Sequence, residues 1–246
     1  MSINNFLLAK FGKKEHLESI KNGNLYFNPI EKYRTDGTDF RGDKNEGIMP
    51  IDPSKISIRD KNGNDWFEDL GIPRPISFTQ SIHNDENTFI FCASIISKNI
   101  LVKPDDSTEM YVLSEKYKES IKNFGDYVLI FNSIEICNRL SKLLKTFEPQ
   151  FGYKSGPIIY RDLTDFSDAG NYTKAYNITG SAYDRYFVKN QSYKIQNEWR
   201  LLIDGSKKRL DPNCGEGFLI NIGKLDWAHL FETPKFLNTL KYSDDV

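Results

Sequence analysis

Three polar side chains stand next to an apolar run late in the chain: Gln196, Glu198 and Arg200 in the segment IQNEWRLLID. On a β-strand, residues two apart point to the same face, so these three would share one face while Asn197 and Trp199 take the other. A fixed carboxylate on such a face can bind a sugar hydroxyl and stabilise positive charge that develops on an anomeric carbon. The pattern therefore predicts a catalytic glutamate if this face lines a cleft.

A purely structural interpretation of the same residues is also open. Ion pairs are common on the exposed face of an antiparallel sheet, where cross-strand partners would neutralise Glu198 and Arg200. The spacing alone does not choose between the two interpretations. We predict that Glu198 serves chemistry and that Arg200 is a structural partner that fixes it or its neighbouring strand.

Several other kinds of site lack their sequence patterns. GxxxxGK[ST] and GxGxxG do not occur, which disfavours an ordinary nucleoside triphosphatase or dinucleotide oxidoreductase, and without GxSxG a serine hydrolase has no support. The histidines and cysteines show no metal-ligand spacing, so we predict no metal site, no disulfide framework and buried thiols. These residues are His16, His83, His229, Cys92, Cys137 and Cys214.

Composition limits the broad class of the protein but names no partner. The 246 residues carry 33 basic and 34 acidic side chains, a net charge of -1, so no global field attracts nucleic acid or an acidic membrane. No stretch approaches the roughly 18 apolar residues of a membrane span, and the N-terminus does not resemble a secretory signal. We therefore predict a cytoplasmic protein with no membrane partner.

The opening of the chain predicts a strand, a helix and a second strand. LLAKFG is an apolar run typical of a buried strand, KKEHLESIKNG has Leu17 and Ile20 at helical spacing and ends at Gly23, and NLYFNPI returns as a strand that stops at Pro29. Residues 35–75 are rich in Gly, Asp, Asn and Pro, which predicts a long irregular segment with at most a hairpin around Asn62 and Gly63.

The rest of the chain adds further strands and two clear helices. SEKYKESIKNFG and SIEICNRLSKLLKTF predict helices, the second with Asn132 or Ser133 as its N-cap. No repeat or linker is evident. We predict one α+β domain over residues 1–246, built on a single mixed, mostly antiparallel sheet with flanking helices. The remaining predicted strands are PISFTQ, NTFIFCASII, YVLIFNS, KSGPIIYRD, IQNEWRLLID and GFLINIG.

Three motifs follow one another along the chain: LYFNP at 25–29, RGDKNEG at 41–47 and QNEWR at 196–200. Together they resemble a widespread, largely uncharacterised family of bacterial proteins. Its members share an LYFNP-type strand after a short helix, an RGDxxEG-type loop and a QxEWR-type strand. The resemblance covers most of the chain.

The opening strand, helix and strand, combined with Q-x-E in a late strand, also resemble the ADP-ribosyltransferase fold. In that superfamily the opening elements frame an NAD pocket and a late strand carries the catalytic glutamate. The resemblance implies that Glu198 is catalytic and that Gln196 positions the acceptor group. It implies NAD as substrate and, as function, ADP-ribosyl transfer to a macromolecular acceptor or NAD glycohydrolysis. A bacterial toxin or antiphage effector, with an antitoxin or defence-system partner, would have such an activity.

The same resemblance implies residues that bind the NAD molecule. Lys10 occupies the first strand, where the superfamily commonly presents Arg or His, and it can make point-charge contacts to phosphate. Tyr26 and Tyr33 lie in the segments that would frame the pocket, and their rings would stack on the nicotinamide. Phe27 alternates with Tyr26 and is expected in the core. Ser77, in PISFTQS, stands in loose correspondence to the serine-threonine-serine triplet of arginine-modifying members.

An alternative from another class is a non-catalytic module that recognises nucleic acid or protein. Residues 172–194 interleave aromatic and basic side chains, which can stack on bases and neutralise a phosphate backbone. A simpler interpretation of AYDRYFVK is an amphipathic helix that packs Tyr183 on Phe187 and leaves its basic residues in water. The segment contains Tyr172, Lys174, Tyr176, Tyr183, Arg185, Tyr186, Lys189, Tyr193 and Lys194.

A magnesium-dependent nuclease is a third hypothesis. Its acidic ligands would come from Asp43, Glu46, Asp162 and Asp165, but these residues form no recognisable ligand pattern. FRGDKNEG itself is interpreted as a solvated turn.

Overall fold

Strands and helices alternate irregularly along the chain, as in other α+β proteins. The structure is a computed structural model that describes residues 5–36, 42–47, 49–51, 61–64, 78–80, 87–104, 110–147, 152–163, 183–204 and 217–243. The strands are β1 (Leu7–Gly12), β2 (Asn24–Pro29), β3 (Met49–Ile51), β4 (Phe78–Gln80), β5 (Thr88–Ile95), β6 (Leu101–Val102), β7 (Met110–Leu113), β8 (Tyr127–Asn132), β9 (Gly152–Pro157), β10 (Ile159–Arg161), β11 (Val188–Asn190), β12 (Glu198–Asp204), β13 (Phe218–Asn221), β14 (Ala228–Glu232) and β15 (Tyr242–Ser243). The α-helices are α1 (Lys14–Lys21), α2 (Ile30–Thr35), α3 (Glu115–Ile121), α4 (Ser133–Leu144) and α5 (Thr233–Thr239), and 3-10 helices span Lys98–Ile100, Asp184–Phe187 and Gln191–Gln196.

One eight-stranded sheet organises these elements. Its order is β13-β2-β5-β1-β8-β14, and β12 pairs with β5 on one side and with β9 on the other. Every pairing in this sheet is antiparallel, whereas the separate pair β10-β11 is parallel. A mixed α+β architecture with a mostly antiparallel sheet is therefore confirmed. The prediction of a single sheet is wrong, because β3-β4, β15-β7-β6 and β10-β11 pair separately from the main sheet. The prediction of a single domain over the whole chain stays a prediction.

The sheet buries apolar side chains on both faces. On β12, Trp199, Leu201 and Ile203 enter a core formed with α1 and α4, while Leu202 packs on the opposite side among residues that include Ile30 of α2. A third cluster lies under α3 and α5. Because side chains alternate along a strand, Glu198 and Arg200 share the face of Leu202, as the two-residue period predicts.

The predicted helices form where their caps and apolar spacing place them. In α1, Leu17 and Ile20 are buried, and the chain leaves the helix through Gly23 at a φ of 93°, a conformation that glycine adopts without strain. At α4, the Asn132 side chain accepts hydrogen bonds from the N–H groups of Ile134 and Glu135, so Asn132 rather than Ser133 is the cap.

The sheet divides at the middle of β5. β12 covers one edge of β5 from Thr88 to Ser94, so β1 and β2 must both pair with the other edge. β2 takes the beginning of that edge, at residues 89 and 90, and β1 takes its end, at residues 94 and 95. No described strand pairs with residues 91–93 there, so β1 and β2 diverge and leave a wedge between them.

Two predictions about the late part of the chain are wrong. AYDRYFVK is not an amphipathic α-helix: Asp184–Phe187 is a 3-10 helix, and Val188–Asn190 is strand β11. Gln196 does not lie on the same strand as Glu198, since it ends the 3-10 helix Gln191–Gln196. Between them Asn197 has a φ of 44°, a left-handed conformation that stops the helix and starts β12.

Some predicted features lie outside the described residues. They include Ser77, His83, Cys214, Asp165, Tyr172, Lys174, Tyr176 and most of the segment 35–75. Within the described ranges, no helix is both long enough and apolar enough to cross a membrane.

Candidate active site

A cleft of about 700 Å³ opens where β1 and β2 diverge. Its walls come from β1, β2, β5 and α2, from the start of α1, from the turn before β8 and from the region around the start of β12. The volume lies within the range of small-molecule sites. Five of the predicted site residues line this one cleft: Lys10, Tyr26, Tyr33, Gln196 and Glu198.

Glu198 reaches the cleft with only 8% of its side chain exposed. Its two carboxylate oxygens have different partners: Oε1 accepts a hydrogen bond from Nε of Arg200 at 2.5 Å, and Oε2 accepts one from Nζ of Lys189 at 2.8 Å. Each carboxylate oxygen has two lone pairs, so each can accept one more hydrogen bond. The carboxylate is therefore fixed in position and still able to bind a hydroxyl group from the cleft.

Arg200 is the centre of the ion network behind Glu198. Its guanidinium is fully buried and forms a two-pronged contact with Glu46, at 2.5 Å from Nη1 to Oε1 and 2.7 Å from Nη2 to Oε2. Nη1 also donates to the backbone carbonyl of Tyr186 at 2.6 Å. The planar fork of arginine suits this arrangement, which a lysine cannot reproduce. The interpretation of Arg200 as the partner that fixes Glu198 is consistent with these contacts.

Lys189 completes the network from strand β11. Its ammonium lies 2.8 Å from Glu198, 3.5 Å from Glu46 and 3.2 Å from Oε1 of Gln196, and its side chain is 2% exposed. We call Glu46, Lys189, Glu198 and Arg200 the buried ion quartet. Two carboxylates and two cations give it no net charge, so each ion is compensated inside the protein.

The quartet sets the ionisation of its members. Burial alone would raise the pKa of Glu198, but Arg200 and Lys189 outweigh burial and hold that pKa well below its usual range. For Lys189, burial opposes the charge while Glu198 and Glu46 favour it, and the net result is a raised pKa. Glu198 is therefore a carboxylate at every physiological pH, which suits an electrostatic role and makes it a weak base.

The loop that supplies Glu46 is fixed by its own hydrogen bonds. The N–H of Asp43 donates to the carbonyl of Tyr33 and the N–H of Asn45 to the Asp43 side chain, both at 2.9 Å. Nε of Arg34 donates to the Glu46 carbonyl at 2.8 Å. Residues 44–47 form a turn in which Lys44 and Asn45 are exposed, but Asp43 and Glu46 are buried, so the interpretation as a solvated turn is wrong for these two acids.

The backbone around Glu198 is held as firmly as its side chain. The side-chain amide of Asn197 donates to the carbonyl of Ile95 at 2.7 Å and to Oγ of Ser97 at 2.9 Å. The N–H of Glu198 donates to the Tyr160 hydroxyl at 2.8 Å. These bonds fix the turn that brings Gln196 and Glu198 to the same cleft, although the two residues belong to different elements.

The aromatic residues divide as the strand alternation predicts. Phe27 is fully buried in the core, while Tyr26 is 43% exposed and lines the cleft. Tyr33 lies deeper: its hydroxyl contacts the Ile90 carbonyl at 3.4 Å and Sγ of Cys92 at 3.6 Å. Burial and the neighbouring Cys92 raise the pKa of Tyr33 well above its usual value, so its hydroxyl stays protonated and is a hydrogen-bond donor.

Lys10 occupies the division of the sheet. Its ammonium donates to the Cys92 carbonyl at 2.5 Å, on the stretch of β5 that neither β1 nor β2 covers, and lies 4.9 Å from the Phe91 ring centre. Lys10 thus compensates a carbonyl that has no strand partner on that edge.

The charges around the cleft favour an anionic ligand slightly. Four lysines line it against three carboxylates, and His16 is also present. The lysines are Lys10, Lys13, Lys32 and Lys189, and the carboxylates are Asp36, Asp126 and Glu198.

Sequence patterns did not reveal two members of the quartet. Glu46 lies 152 positions before Glu198 and was interpreted as a solvated residue, and Lys189 was assigned to a basic binding surface. A usable signal for Glu46 is the joint presence of RGDKNEG and QNEWR in this sequence, since a buried arginine in one motif needs a carboxylate from elsewhere. For Lys189 the spacing contains no such signal.

Some residues of the two alternative hypotheses lie in the protein interior. Arg185, Tyr186 and Lys189 are buried, so they do not form an exposed surface that could stack on bases. Among the described residues, no group of three His, Cys, Asp or Glu side chains could hold a metal ion. Glu46, one of the acids considered for magnesium, binds Arg200 with both oxygens.

No protein-family model, curated protein or solved structure matches the chain. The chemistry of the site must therefore be argued from its own geometry.

Proposed function

We propose that the protein cleaves the bond between nicotinamide and ribose in NAD and transfers ADP-ribose to a macromolecular acceptor, or to water. The observation that carries the proposal is the position of Glu198, a buried and permanently ionised carboxylate at the wall of a 700 Å³ cleft that Lys10, Tyr26, Tyr33 and Gln196 also line. The divergence of β1 and β2 that forms the cleft is consistent with an ADP-ribosyltransferase-like fold.

Glu198 acts by binding and by charge rather than by proton transfer. Its free lone pairs accept a hydrogen bond from a ribose hydroxyl, and its negative charge stabilises the oxocarbenium-like transition state as the glycosidic bond breaks. Nicotinamide leaves with the bonding electron pair, which neutralises its ring nitrogen. The acceptor then supplies a lone pair to the anomeric carbon and loses a proton to solvent or to a neighbouring base.

The other cleft residues orient the two reactants. Tyr26 offers an exposed ring for stacking on nicotinamide, which contributes about 1 kcal/mol beyond area burial. Lys10 and Lys13 offer positive charge to the pyrophosphate. Gln196 also lines the cleft, where its amide would position the acceptor group.

Depletion of cellular NAD, or modification of essential macromolecules, halts cell growth. We therefore propose a bacterial toxin or antiphage effector as the biological role, with an antitoxin or defence-system protein as partner. This step rests on analogy with the class of activity.

The test compares nicotinamide release by the wild-type protein and by Glu198→Gln, with bacterial lysate and RNA offered as acceptors. We expect the substitution to reduce release by about 100-fold or more, because it removes the charge that stabilises the transition state. Labelled NAD separates transfer, which leaves the label on a macromolecule, from hydrolysis, which leaves it as free ADP-ribose.

Two further variants separate chemistry from folding. Glu135→Gln makes the same change at a glutamate that is ion-paired with Arg139 outside the cleft, and it should keep wild-type activity. Glu198→Asp retains the charge and should retain part of the activity if the fold persists by circular dichroism. Absence of NAD binding and of nicotinamide release by the wild-type protein under every acceptor condition would refute the proposal.

A further inference from the structure

We infer that Lys189 is a positioning residue that fixes the Glu198 carboxylate and the Gln196 amide relative to each other at the wall of the cleft. The inference rests on the proposed function for its catalytic meaning. The geometry behind it stands independently, because one Lys189 ammonium contacts both groups.

The contacts of Lys189 are directional and water is largely excluded from them. The ammonium is 2% exposed and has three N–H donors, and three side-chain oxygens lie within 3.5 Å: those of Glu198, Gln196 and Glu46. Two of these contacts are hydrogen bonds, to Glu198 and Gln196, and they define the orientation of both partners, while Glu46 adds an ion pair. In particular, the bond to Oε1 fixes the Gln196 amide so that its N–H₂ group points away from Lys189.

Arg200 does not duplicate this role. It binds the other oxygen of Glu198 and both oxygens of Glu46, and its remaining bond goes to the Tyr186 carbonyl rather than to Gln196. Without Lys189, Glu198 keeps one cationic partner and Gln196 loses its contact with the ammonium. The reacting groups then lose their relative alignment, whereas the bidentate Arg200–Glu46 contact involves no atom of Lys189.

Several charged or titratable groups face Glu198 and must be included in any pH argument. Arg200 lies on the same strand, Lys189 on β11, Cys92 on β5, Tyr33 on α2 and Tyr160 on β10. Burial raises the pKa of Cys92 and of both tyrosines, so these three groups are neutral near pH 7. The charges of Arg200 and Lys189 therefore oppose protonation of Glu198.

The experiment uses Lys189→Met, with Lys154→Met as a matched control. Lys154 is a partly buried lysine that is also paired with a carboxylate, that of Asp184, but it does not line the cleft. We expect Lys189→Met to lower kcat for nicotinamide release by about 10- to 100-fold, because misplaced groups lose alignment. The KM for NAD should stay within about threefold, since Lys189 contributes to the transition state rather than to ground-state binding. Lys154→Met should change neither constant.

A second measurement does not depend on activity. Protonation of Glu198 is followed by NMR of protein with ¹³C-labelled glutamate carboxyls, with the resonance assigned by its loss in Glu198→Gln. In the wild type we expect no protonation of Glu198 above about pH 4. In Lys189→Met the midpoint of the Glu198 titration should move up into or above the ordinary range of carboxyl groups. The acidic limb of the pH–rate profile should move in the same direction.

The outcomes separate the two proposals. An inactive wild type would refute the proposed function, and the titration would still decide whether Lys189 controls Glu198. An active wild type together with unchanged kcat and an unchanged titration in Lys189→Met would overturn the inference about Lys189 and leave the proposed function intact.

Discussion

Replacing Arg200 by methionine should destabilise the protein strongly, because it leaves a buried charge without compensation. The quartet is neutral with Arg200 in place, and without it Glu46 and Glu198 share only Lys189, which leaves one excess negative charge. Removing one partner of a buried ion pair costs about 3–5 kcal/mol. This is a large fraction of the roughly 5–15 kcal/mol that stabilises a typical domain.

The assay is urea unfolding at pH 7, followed by circular dichroism and tryptophan fluorescence. If the free energy of unfolding decreases by about 3 kcal/mol per molar urea, the urea concentration at half-unfolding should fall by roughly 1–1.7 M in Arg200→Met. The control is Arg139→Met, which removes a partly exposed arginine that is paired with Glu135 and Asp226. Exposed pairs contribute about 0–1 kcal/mol, so its midpoint should change little.

A double variant tests whether charge imbalance is the cause. Arg200→Met combined with Glu46→Leu leaves Lys189 and Glu198 as a neutral pair, so its cost should be clearly smaller than the sum of the two single costs. Strict additivity, or a loss below about 0.5 kcal/mol in Arg200→Met alone, would refute the argument that the quartet is stabilised as a unit.

Three further predictions concern pH, backbone conformation and thiol reactivity. Folding lowers the pKa of Glu198, so its contribution to stability is present above about pH 4.3 and is lost as the pH falls through the pKa of the folded protein. Folding raises the pKa of Lys189, so its contribution is present below about pH 10.4 and is lost as the pH rises through the pKa of the folded protein. A urea midpoint that falls between pH 6 and 9 in parallel with the titration of either group would contradict this. Gly47→Ala should lower the free energy of unfolding by about 1–3 kcal/mol, because Gly47 has a φ of 67° and a Cβ there would lie 2.7 Å from the Tyr186 ring. A thermal unfolding curve that matches the wild type would contradict this conformation of the loop. Burial and the nearby Glu198 raise the pKa of Cys92 to about 12. Iodoacetamide at pH 8 should therefore modify Cys92 at least about 100-fold more slowly in the folded protein than in urea, as measured by mass spectrometry. Equal rates would show an accessible thiolate and contradict this prediction.

Local patterns were enough to predict much of the fold. The helices α1 and α4 form where apolar spacing and end residues place them, and Leu17, Ile20 and the cap Asn132 behave as predicted. The buried strands around residues 7–12, 24–29 and 88–95 likewise follow from apolar runs with clear ends. These elements are specified by interactions between near neighbours, which a sequence displays directly.

The failures have a common physical origin, since they concern polar residues whose environment is set by distant parts of the chain. Glu46 and Lys189 are buried because Arg200 and Glu198 compensate them, and nothing near either residue in the sequence reveals those partners. The interleaved tyrosines and lysines of residues 172–194 suggested a binding surface, because lysine side chains are usually exposed. Whether a charge is solvated or paired inside the protein depends on tertiary contacts, which local composition does not contain.

The turn at Asn197 changes what a Q-x-E pattern means in this protein. Since Gln196 and Glu198 meet across a left-handed residue rather than along one strand, the middle position is restricted to residues that tolerate a φ of 44°. Asn tolerates this φ and also supplies the two hydrogen bonds to Ile95 and Ser97. Glycine would tolerate the φ but supply no side-chain hydrogen bond, and Val or Ile would do neither. A search for similar sites that accepts any residue between the glutamine and the glutamate is therefore too permissive: Q-N-E is the form that this geometry selects, and Q-V-E or Q-I-E would mark a different backbone.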